Sequence, residues 1–143
     1  MKIAIACDHG ALALKNTLIA HLTKAGYEVV NFGTDTLDSC DYPDFAGPAA
    51  EAVAAGKCDK GIVLCTTGIG VSITANKVPG IRAALCSDCF SAQATREHND
   101  ANILALGARV LGEGLALKIV DTFLDTPFSN DERHIRRIAM IEG

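Results

Sequence analysis

The chain has 143 residues and a formal net charge of −4, and 49% of its residues are hydrophobic but only 5% aromatic, with no tryptophan. This size fits one domain, residues 1–143, with enough apolar side chains for a real core. The acidic balance and the few aromatic side chains argue against a nucleic-acid partner, because polyanions would be repelled and platforms for base stacking are missing.

The sequence begins with residues typical of a β-strand, and no apolar run is long enough to cross a bilayer. We therefore expect a cytoplasmic protein with no membrane partner. The six cysteines are spread through core-forming sequence, which favours reduced thiols over a disulfide framework. Only Cys86 and Cys89 have the spacing of metal ligands, and without a second such pair we expect no structural zinc site.

Five strand-like apolar runs alternate with stretches long enough for one helix each, which predicts a parallel α/β sheet. The strands are predicted at Ile3–Ala6, Glu28–Phe32, Gly61–Leu64, Ile81–Leu85 and Ile103–Leu106. Helices are predicted at Ala11–Ala25, Ala46–Ala55, Val71–Asn76, Ser87–Glu97, Gly112–Leu124 and Asp131–Ile141, and Gly26 and Gly56 are the expected stop signals of the first two.

Right-handed crossovers between such strands give a doubly wound, three-layer sandwich, most simply with the strand order 2-1-3-4-5. The direction of winding then reverses between strands 1 and 3. Ligands of these sheets bind at that reversal, outside the carboxyl ends of the strands. We therefore expect Asp8-His9-Gly10, after strand 1, and Cys65–Gly70, after strand 3, to share one crevice.

Cys65 ends a hydrophobic strand and enters a turn that carries Gly68 and Gly70. The N–H groups of such a turn and the positive end of the next helix favour negative charge, which gives the thiol a reason to ionise. Cys65 is thus a candidate nucleophile or base, although cysteines are also often simply buried in a core. Asp8 and His9 could supply proton donors and acceptors, or could only form a charged pair that closes a turn.

A polar cluster that includes His98 and Asn99 precedes strand 5. These residues also suit a helix end, with Asn99 in a left-handed turn and His98 favourable to the helix dipole. A segment that enters strand 5 lies at the amino edge of the sheet, opposite the edge that carries Cys65. The two side chains should not meet within one chain, so a site that uses both predicts an isologous homodimer.

Candidate phosphate ligands lie late in the chain. Arg133, His134 and Arg137 fall on the terminal helix, where i, i+4 spacing places both arginines on one face. Such a run is commonly a solvated surface, but in an acidic chain it is also a natural phosphate site. Arg109 is a further candidate or an ion-pair partner. Tyr42, which precedes a proline, is predicted to be extended at a helix entry and could also wall the crevice.

These features combine into an ordered set of motifs that covers nearly the whole chain. The motifs are Asp8-His9-Gly10, Asp41-Tyr42-Pro43, Cys65-Thr66-Thr67-Gly68-Ile69-Gly70, Ala75-Asn76-Lys77, Gly80-Ile81-Arg82-Ala83, Ser91-Ala92, Arg96-Glu97-His98-Asn99-Asp100-Ala101-Asn102 and Arg133-His134. The set resembles the ribose-5-phosphate isomerase B and galactose-6-phosphate isomerase family, and the thiol-bearing turn is most similar to the ribose-5-phosphate isomerase B members.

The resemblance implies a Rossmann-like fold, a homodimer or homotetramer, and interconversion of ribose 5-phosphate and ribulose 5-phosphate in the pentose phosphate pathway without metal or cofactor. By position, Cys65 would move a proton between C2 and C1 with help from Thr67. Asp8 and His98 of the partner subunit would open the sugar ring. The other implied contacts are the backbone around Gly68 and Gly70 for the enediolate, Asn99 for sugar oxygens, and His9, Arg133 and Arg137 for phosphate, with Tyr42 and Arg109 as further substrate-binding candidates.

Two departures from the family pattern concern the choice of sugar. Thr66 stands where the family usually carries glycine, so the turn must differ or be strained if that position needs a positive φ. Ser129-Asn130-Asp131-Glu132 replaces a more glycine-rich approach to the terminal arginine and adds acid there. A six-carbon aldose phosphate, such as allose or galactose 6-phosphate, is therefore a possible substrate in place of the pentose. Non-catalytic sugar-phosphate binding and, from the incomplete glycine fingerprint, dinucleotide binding are two competing functions.

Overall fold

Five parallel strands form one sheet with helices on both of its faces in the computed structural model, which describes all 143 residues. The strands are β1 (Lys2–Cys7), β2 (Glu28–Asn31), β3 (Lys60–Cys65), β4 (Ala83–Leu85) and β5 (Ile103–Gly107). The helices are α1 (Leu12–Lys24), α2 (Pro43–Ala54), α3 (Ile69–Asn76), α4 (Cys89–Asn99), α5 (Glu113–Asp125) and α6 (Glu132–Glu142). The predicted α/β class and the parallel sheet are confirmed.

The strand order is 2-1-3-5-4, so the predicted order 2-1-3-4-5 is wrong at its end. Strand β5 lies between β3 and β4, with Gly61 opposite Ile103 on one side and Ala83 opposite Ile103 on the other. Every residue of β5 is buried, whereas β4 has three residues, none of them buried, and therefore suits the sheet edge. The winding still reverses between β1 and β3, where the crevice was predicted.

Alternating side chains of the central strands form two cores, one on each face of the sheet. On one face Ile3, Ile5, Leu64 and Leu104 pack with buried residues of α1 and α5, including Phe123. The opposite face carries smaller side chains from the same strands and packs against α2 and α3. Its members include Ala4, Ala6, Val63, Cys65, Ala105, Ala49, Ala50, Val71 and Ala75. Cys65 thus points to the face that α2 and α3 cover.

Helix ends agree with the sequence signals except at two positions. Gly26 and Gly56 follow α1 and α2 with φ of 95° and 76°, as expected of helix stop signals. Tyr42 has φ −56° and ψ −31°, so the prediction of an extended residue is wrong, and the chain is already helical before Pro43. The left-handed residue after α4 is Asp100, with φ 44°, and not Asn99, which is the last residue of the helix.

None of the helices has both the length and the apolar character that crossing a bilayer requires. All six cysteines are free, and Cys7 and Cys86 are buried. Burial raises the pKa of both of these thiols to about 11.

Candidate active site

The turn after β3 folds back onto the thiol of Cys65. The N–H of Gly68 donates a hydrogen bond to Cys65 Sγ over 3.1 Å, and Gly68 has φ +80°. A Cβ at position 68 would lie 2.6 Å from Leu85 Cδ1 and 2.8 Å from the carbonyl carbon of Leu106, so no larger residue fits. The donated N–H stabilises negative charge on the sulfur.

Backbone donors are left free where this turn enters α3. The N–H of Ile69 donates to Thr67 Oγ1 over 3.2 Å, and Thr67 Oγ1 lies 4.0 Å from Cys65 Sγ. The next two amides, of Gly70 and Val71, belong to the first turn of α3 and donate to no group of the chain. They lie at the positive end of the helix dipole, where an anionic oxygen is stabilised.

Cys65 is only 5% exposed but opens into a cleft of about 430 Å³. The lining residues come from the turn after β1, the start of α2, and the turn and helix after β3. They are Asp8, Tyr42, Cys65, Thr66, Thr67, Ile69, Gly70 and Ile73. The shared crevice predicted for Asp8 and Cys65 is therefore present. Tyr42 precedes α2, caps it with no side-chain hydrogen bond, and lies in the wall of this cleft.

Asp8 lies at the bottom of the turn after β1 and is 7% exposed. Its Oδ1 accepts the N–H of Gly10 over 3.0 Å and caps a single 3-10 turn, while Oδ2 accepts no hydrogen bond from the chain. A Cβ at Gly10 would lie 2.5 Å from Thr66 Oγ1. The turn after β1 therefore rests directly on the side chain of Thr66, beside the thiol turn.

Thr66 adopts an ordinary backbone conformation, because Asp100 and Asn130 are the chain's only residues other than glycine with positive φ. The left-handed position of the turn is Gly68, so threonine at position 66 causes no backbone strain. In the sequence Thr66 stood out only as a departure from the family pattern. The structure makes it a wall of the cleft.

His9 has a defined tautomer because its Nδ1 accepts the backbone N–H of Cys40 over 3.2 Å. A ring nitrogen that accepts carries no proton, so the proton lies on Nε2, which is free to donate. The loop that carries Cys40 is tied down by Lys15, whose buried Nζ donates to Thr34 O and Asp35 Oδ1 over 2.6 Å each. Neither Lys15 nor Cys40 was identified as a site residue from the sequence.

His98 and Asn99 lie at the opposite edge of the sheet, as predicted. They end α4, from which the chain enters β5, and the carbonyl of the adjacent Asn102 accepts the N–H of Gly61 at the amino end of β3 over 3.0 Å. Cys65 is the last residue of β3, four residues after Gly61 and roughly 13 Å further along at about 3.3 Å per residue. One chain therefore does not bring His98 and Cys65 together.

Two arginines fix this amino edge. Arg82 donates from Nε to Asn99 O over 2.8 Å and from Nη1 to Glu142 Oε1 over 2.7 Å. Arg96 is buried and donates from Nη1 to Ala101 O over 2.6 Å. Both guanidinium groups are used inside the chain, so they hold the polar segment in place and are not free for a ligand.

Side chains of α6 complete this edge. The ring of His134 stacks on His98 with the centroids 4.5 Å apart and an interplanar angle of 19°. Arg133 is 61% exposed, and its Nε lies 3.4 Å from Asp131 Oδ2. Asp131, one of the acidic residues that precede the arginines, therefore forms a weak ion pair with Arg133. Arg137 is exposed and forms no ion pair within the chain. Arg109 is also exposed, but it lies at the carboxyl edge, where its N–H donates to Thr66 O over 3.1 Å.

Comparisons with known proteins agree on one family. Residues 3–141 match the family described as Ribose/Galactose Isomerase. The chain is 48% identical over 140 residues to ribose-5-phosphate isomerase B of Escherichia coli, an alignment that covers 98% of this chain and 93% of that protein. It superposes on the Clostridium thermocellum ribose-5-phosphate isomerase B with a TM-score of 0.97 at 56% identity, covering 99% and 95% of the two chains.

A second solved structure carries a ligand. The ribose-5-phosphate isomerase B of Mycoplasma genitalium, described with bound ribulose-5-phosphate, superposes with a TM-score of 0.95 at 41% identity. The superposition covers 99% of this chain and 93% of that one.

Proposed function

The chain belongs to the ribose/galactose isomerase family, and on this premise we propose that it interconverts ribose 5-phosphate and ribulose 5-phosphate. The observation that carries the proposal is the Cys65 thiol, which receives the N–H of Gly68 and opens into a cleft that also holds Asp8. We propose that it acts as an aldose-ketose isomerase of the pentose phosphate pathway, in the cytoplasm.

The reaction moves a proton between C2 and C1 through an enediolate. The hydrogen on a carbon next to a carbonyl is weakly acidic, so the base must act together with donors for the developing oxyanion. In our proposal the Cys65 thiolate removes the proton, and the hydroxyl of Thr67 assists. The free amides of Gly70 and Val71 meet the oxyanion, since the Gly68 amide is already committed to the sulfur.

Opening the furanose ring breaks the bond between C1 and the ring oxygen, so one group must take the proton of the C1 hydroxyl and another must deliver a proton to the ring oxygen. Asp8 Oδ2 is unpaired inside the cleft, and we propose that it works with His98 of the partner subunit. The separation of His98 and Cys65 by the length of β3 supports this composite site, because neither edge of one chain holds both groups. A homodimer in which two copies pair their opposite edges completes two sites.

The surface around the cleft suits such a dimer. The cleft rim carries Ile69 and Ile73 of α3, which are both exposed, and Phe90 on α4 is 81% exposed. Apolar side chains of this size next to a functional cleft are typical of a protein contact. A second copy is the partner that would supply the missing histidine at the same time.

We assign binding of the substrate's phosphate group to side chains from both the carboxyl and the amino edge of the sheet. Nε2 of His9 is a free donor beside the cleft, and Arg109 follows β5 on the same edge. Arg133 and Arg137 on α6 would come with His98 from the partner subunit, and Asn99 would bind sugar oxygens. A phosphate held this way positions the reacting carbons and supplies binding energy remote from the proton transfer.

The test is isomerisation of ribose 5-phosphate by the purified protein without added metal, beside a panel that includes allose and galactose 6-phosphates. Cys65→Ala should abolish turnover while the chain still folds. Mixing inactive Cys65→Ala and His98→Ala chains should restore activity, because hybrid dimers contain one intact site. Turnover by the Cys65→Ala variant would refute the thiol base, and no recovery despite subunit exchange would refute the composite site.

A further inference from the structure

His134 is a buried residue to which the proposed mechanism gives no role. Its ring lies flat against that of His98, with 4.5 Å between centroids and 19° between planes, and only 8% of the residue is exposed. His98 itself is exposed on the last turn of α4. The only histidine side chains with hydrogen bonds inside the chain are His9 and His21, so the stack is the contact that orients His98.

The backbone fixes the position of His134. Asp131 caps α6 by accepting the N–H of Arg133 on Oδ1, and its carbonyl accepts the N–H of His134, both over 3.0 Å. The preceding loop is joined to α4 where the N–H of Ser129 donates to Glu97 O over 3.3 Å. The two helices therefore present their histidine rings to each other at a fixed spacing.

We infer that His134 is a positioning residue that holds the imidazole of His98 in the orientation required for opening the sugar ring. The inference rests on the proposed function. An exposed histidine without partners samples several rotamers, and each catalytic encounter must then find the productive one. Stacking restricts the ring to one plane and leaves both of its nitrogens free, one for the substrate oxygen and one for solvent or a neighbouring group.

The charge state of His134 agrees with this role. Burial, together with the nearby His98, Arg133 and Arg137, lowers the pKa of His134, whereas Asp131 opposes the shift. A neutral imidazole stacks on His98 without repelling the proton that His98 must carry in one half of the cycle.

The experiment compares His134→Leu, which removes the ring, with His134→Phe, which keeps a flat aromatic side chain. His21→Leu is the matched control, since His21 on α1 pairs with Asp121 on α5, and both helices pack on the sheet face opposite to Cys65. The kcat/KM for ribose 5-phosphate is measured for each variant, with hydrogen and with deuterium at C2. Unfolding curves and sedimentation check that each variant folds and keeps the wild-type assembly.

We expect His134→Leu to lose at least about tenfold in kcat/KM, and His134→Phe to recover to within about threefold of wild type, since a misplaced acid–base group costs that much or more. The deuterium effect is the ratio of kcat/KM with hydrogen at C2 to kcat/KM with deuterium at C2. If ring opening becomes slower, it limits the rate more than C–H cleavage does, so the deuterium effect in His134→Leu should be no larger than in wild type. His21→Leu should match wild type.

The inference is overturned if His134→Leu stays within about threefold of wild type, if His134→Phe is as slow as His134→Leu, or if the deuterium effect grows. Should His134→Leu fail to fold, His134→Gln repeats the comparison, and failure of both variants to fold makes His134 a purely structural residue. A wild-type protein that is inactive on ribose 5-phosphate refutes the proposed function instead, which is a separate result.

Discussion

Replacing Gly68 by alanine should damage the thiol turn in two separable ways. Alanine in the left-handed region costs about 1–2 kcal/mol, partly offset by about 0.4–1 kcal/mol because the unfolded chain becomes less flexible. The added Cβ would also lie 2.6 Å from Leu85 Cδ1 and 2.8 Å from a backbone carbon of Leu106. Forced overpacking of this kind costs about 1–3 kcal/mol. We therefore expect Gly68→Ala to lower the free energy of unfolding by about 2–4 kcal/mol.

Gly26→Ala is the matched control. Gly26 also has a positive φ, of 95°, but no atom lies within 4 Å of where its Cβ would stand. The free energy of unfolding of Gly26→Ala should fall by only about 1 kcal/mol, because this variant has the cost of the left-handed backbone but no steric clash. Urea unfolding at one fixed protein concentration measures both variants, and the fixed concentration removes any contribution from subunit association. In a thermal scan each kcal/mol corresponds to about 2–4 °C.

The variants should also differ in activity. Moving the Gly68 amide away from Cys65 Sγ removes a donor from the proposed base, so Gly68→Ala should lose at least about tenfold in kcat while Gly26→Ala keeps wild-type turnover. If the free energies of unfolding of the two variants differ by less than about 0.5 kcal/mol, the clash with Leu85 and Leu106 contributes nothing and the explanation given for this turn is wrong.

Two further predictions follow from the loop and from the cleft wall. Hydrogen bonds from Lys15 and Asn31 lower the pKa of Asp35, so its contribution to stability is present above the unfolded pKa of about 3.9 and is lost as pH falls through the lower folded value. The difference in urea midpoint between wild type and Asp35→Asn should therefore shrink from pH 6 to pH 3, and a constant difference would contradict this ion pair. Thr66→Gly removes a side chain that walls the cleft, so kcat/KM for allose 6-phosphate should rise about tenfold relative to ribose 5-phosphate. An unchanged ratio would show that Thr66 does not limit the length of the sugar.

Hydrophobic periodicity was sufficient to find the five strands and the six α-helices, although α2 begins three residues before its predicted start and β4 begins two residues after its own. It did not determine the order of the last two strands. Both β4 and β5 are short apolar runs, and sequence adjacency favours placing β4 next to β3. The completely apolar Ile103–Gly107 takes the interior position, while β4 ends in the half-exposed Leu85 at the sheet edge. Relative burial, which a local pattern does not report, decided the order.

The shared cleft of Asp8 and Cys65 was predictable because topology alone brings the carboxyl ends of β1 and β3 together. The supporting contacts were not predictable. Lys15 has no local signal on an amphipathic helix, and the roles of Arg82 and Arg96 depend on carbonyl groups presented by a turn that only the folded chain forms. The cationic segment of α6 was recognised, but the stacking of His134 on His98 depends on how α6 packs against α4.

The thiol turn is held from behind by a strand that occurs much later in the chain. The carbonyl groups of Cys65 and Thr66 accept the N–H groups of Ala108 and Arg109 over 2.9 and 3.1 Å, directly after β5. During synthesis, residues 65–70 therefore leave the ribosome some forty residues before the segment that gives them their shape. A nascent or truncated chain that ends before residue 108 therefore carries Cys65 without the two hydrogen bonds that shape its turn, so the turn takes its final form only after this later segment has been made.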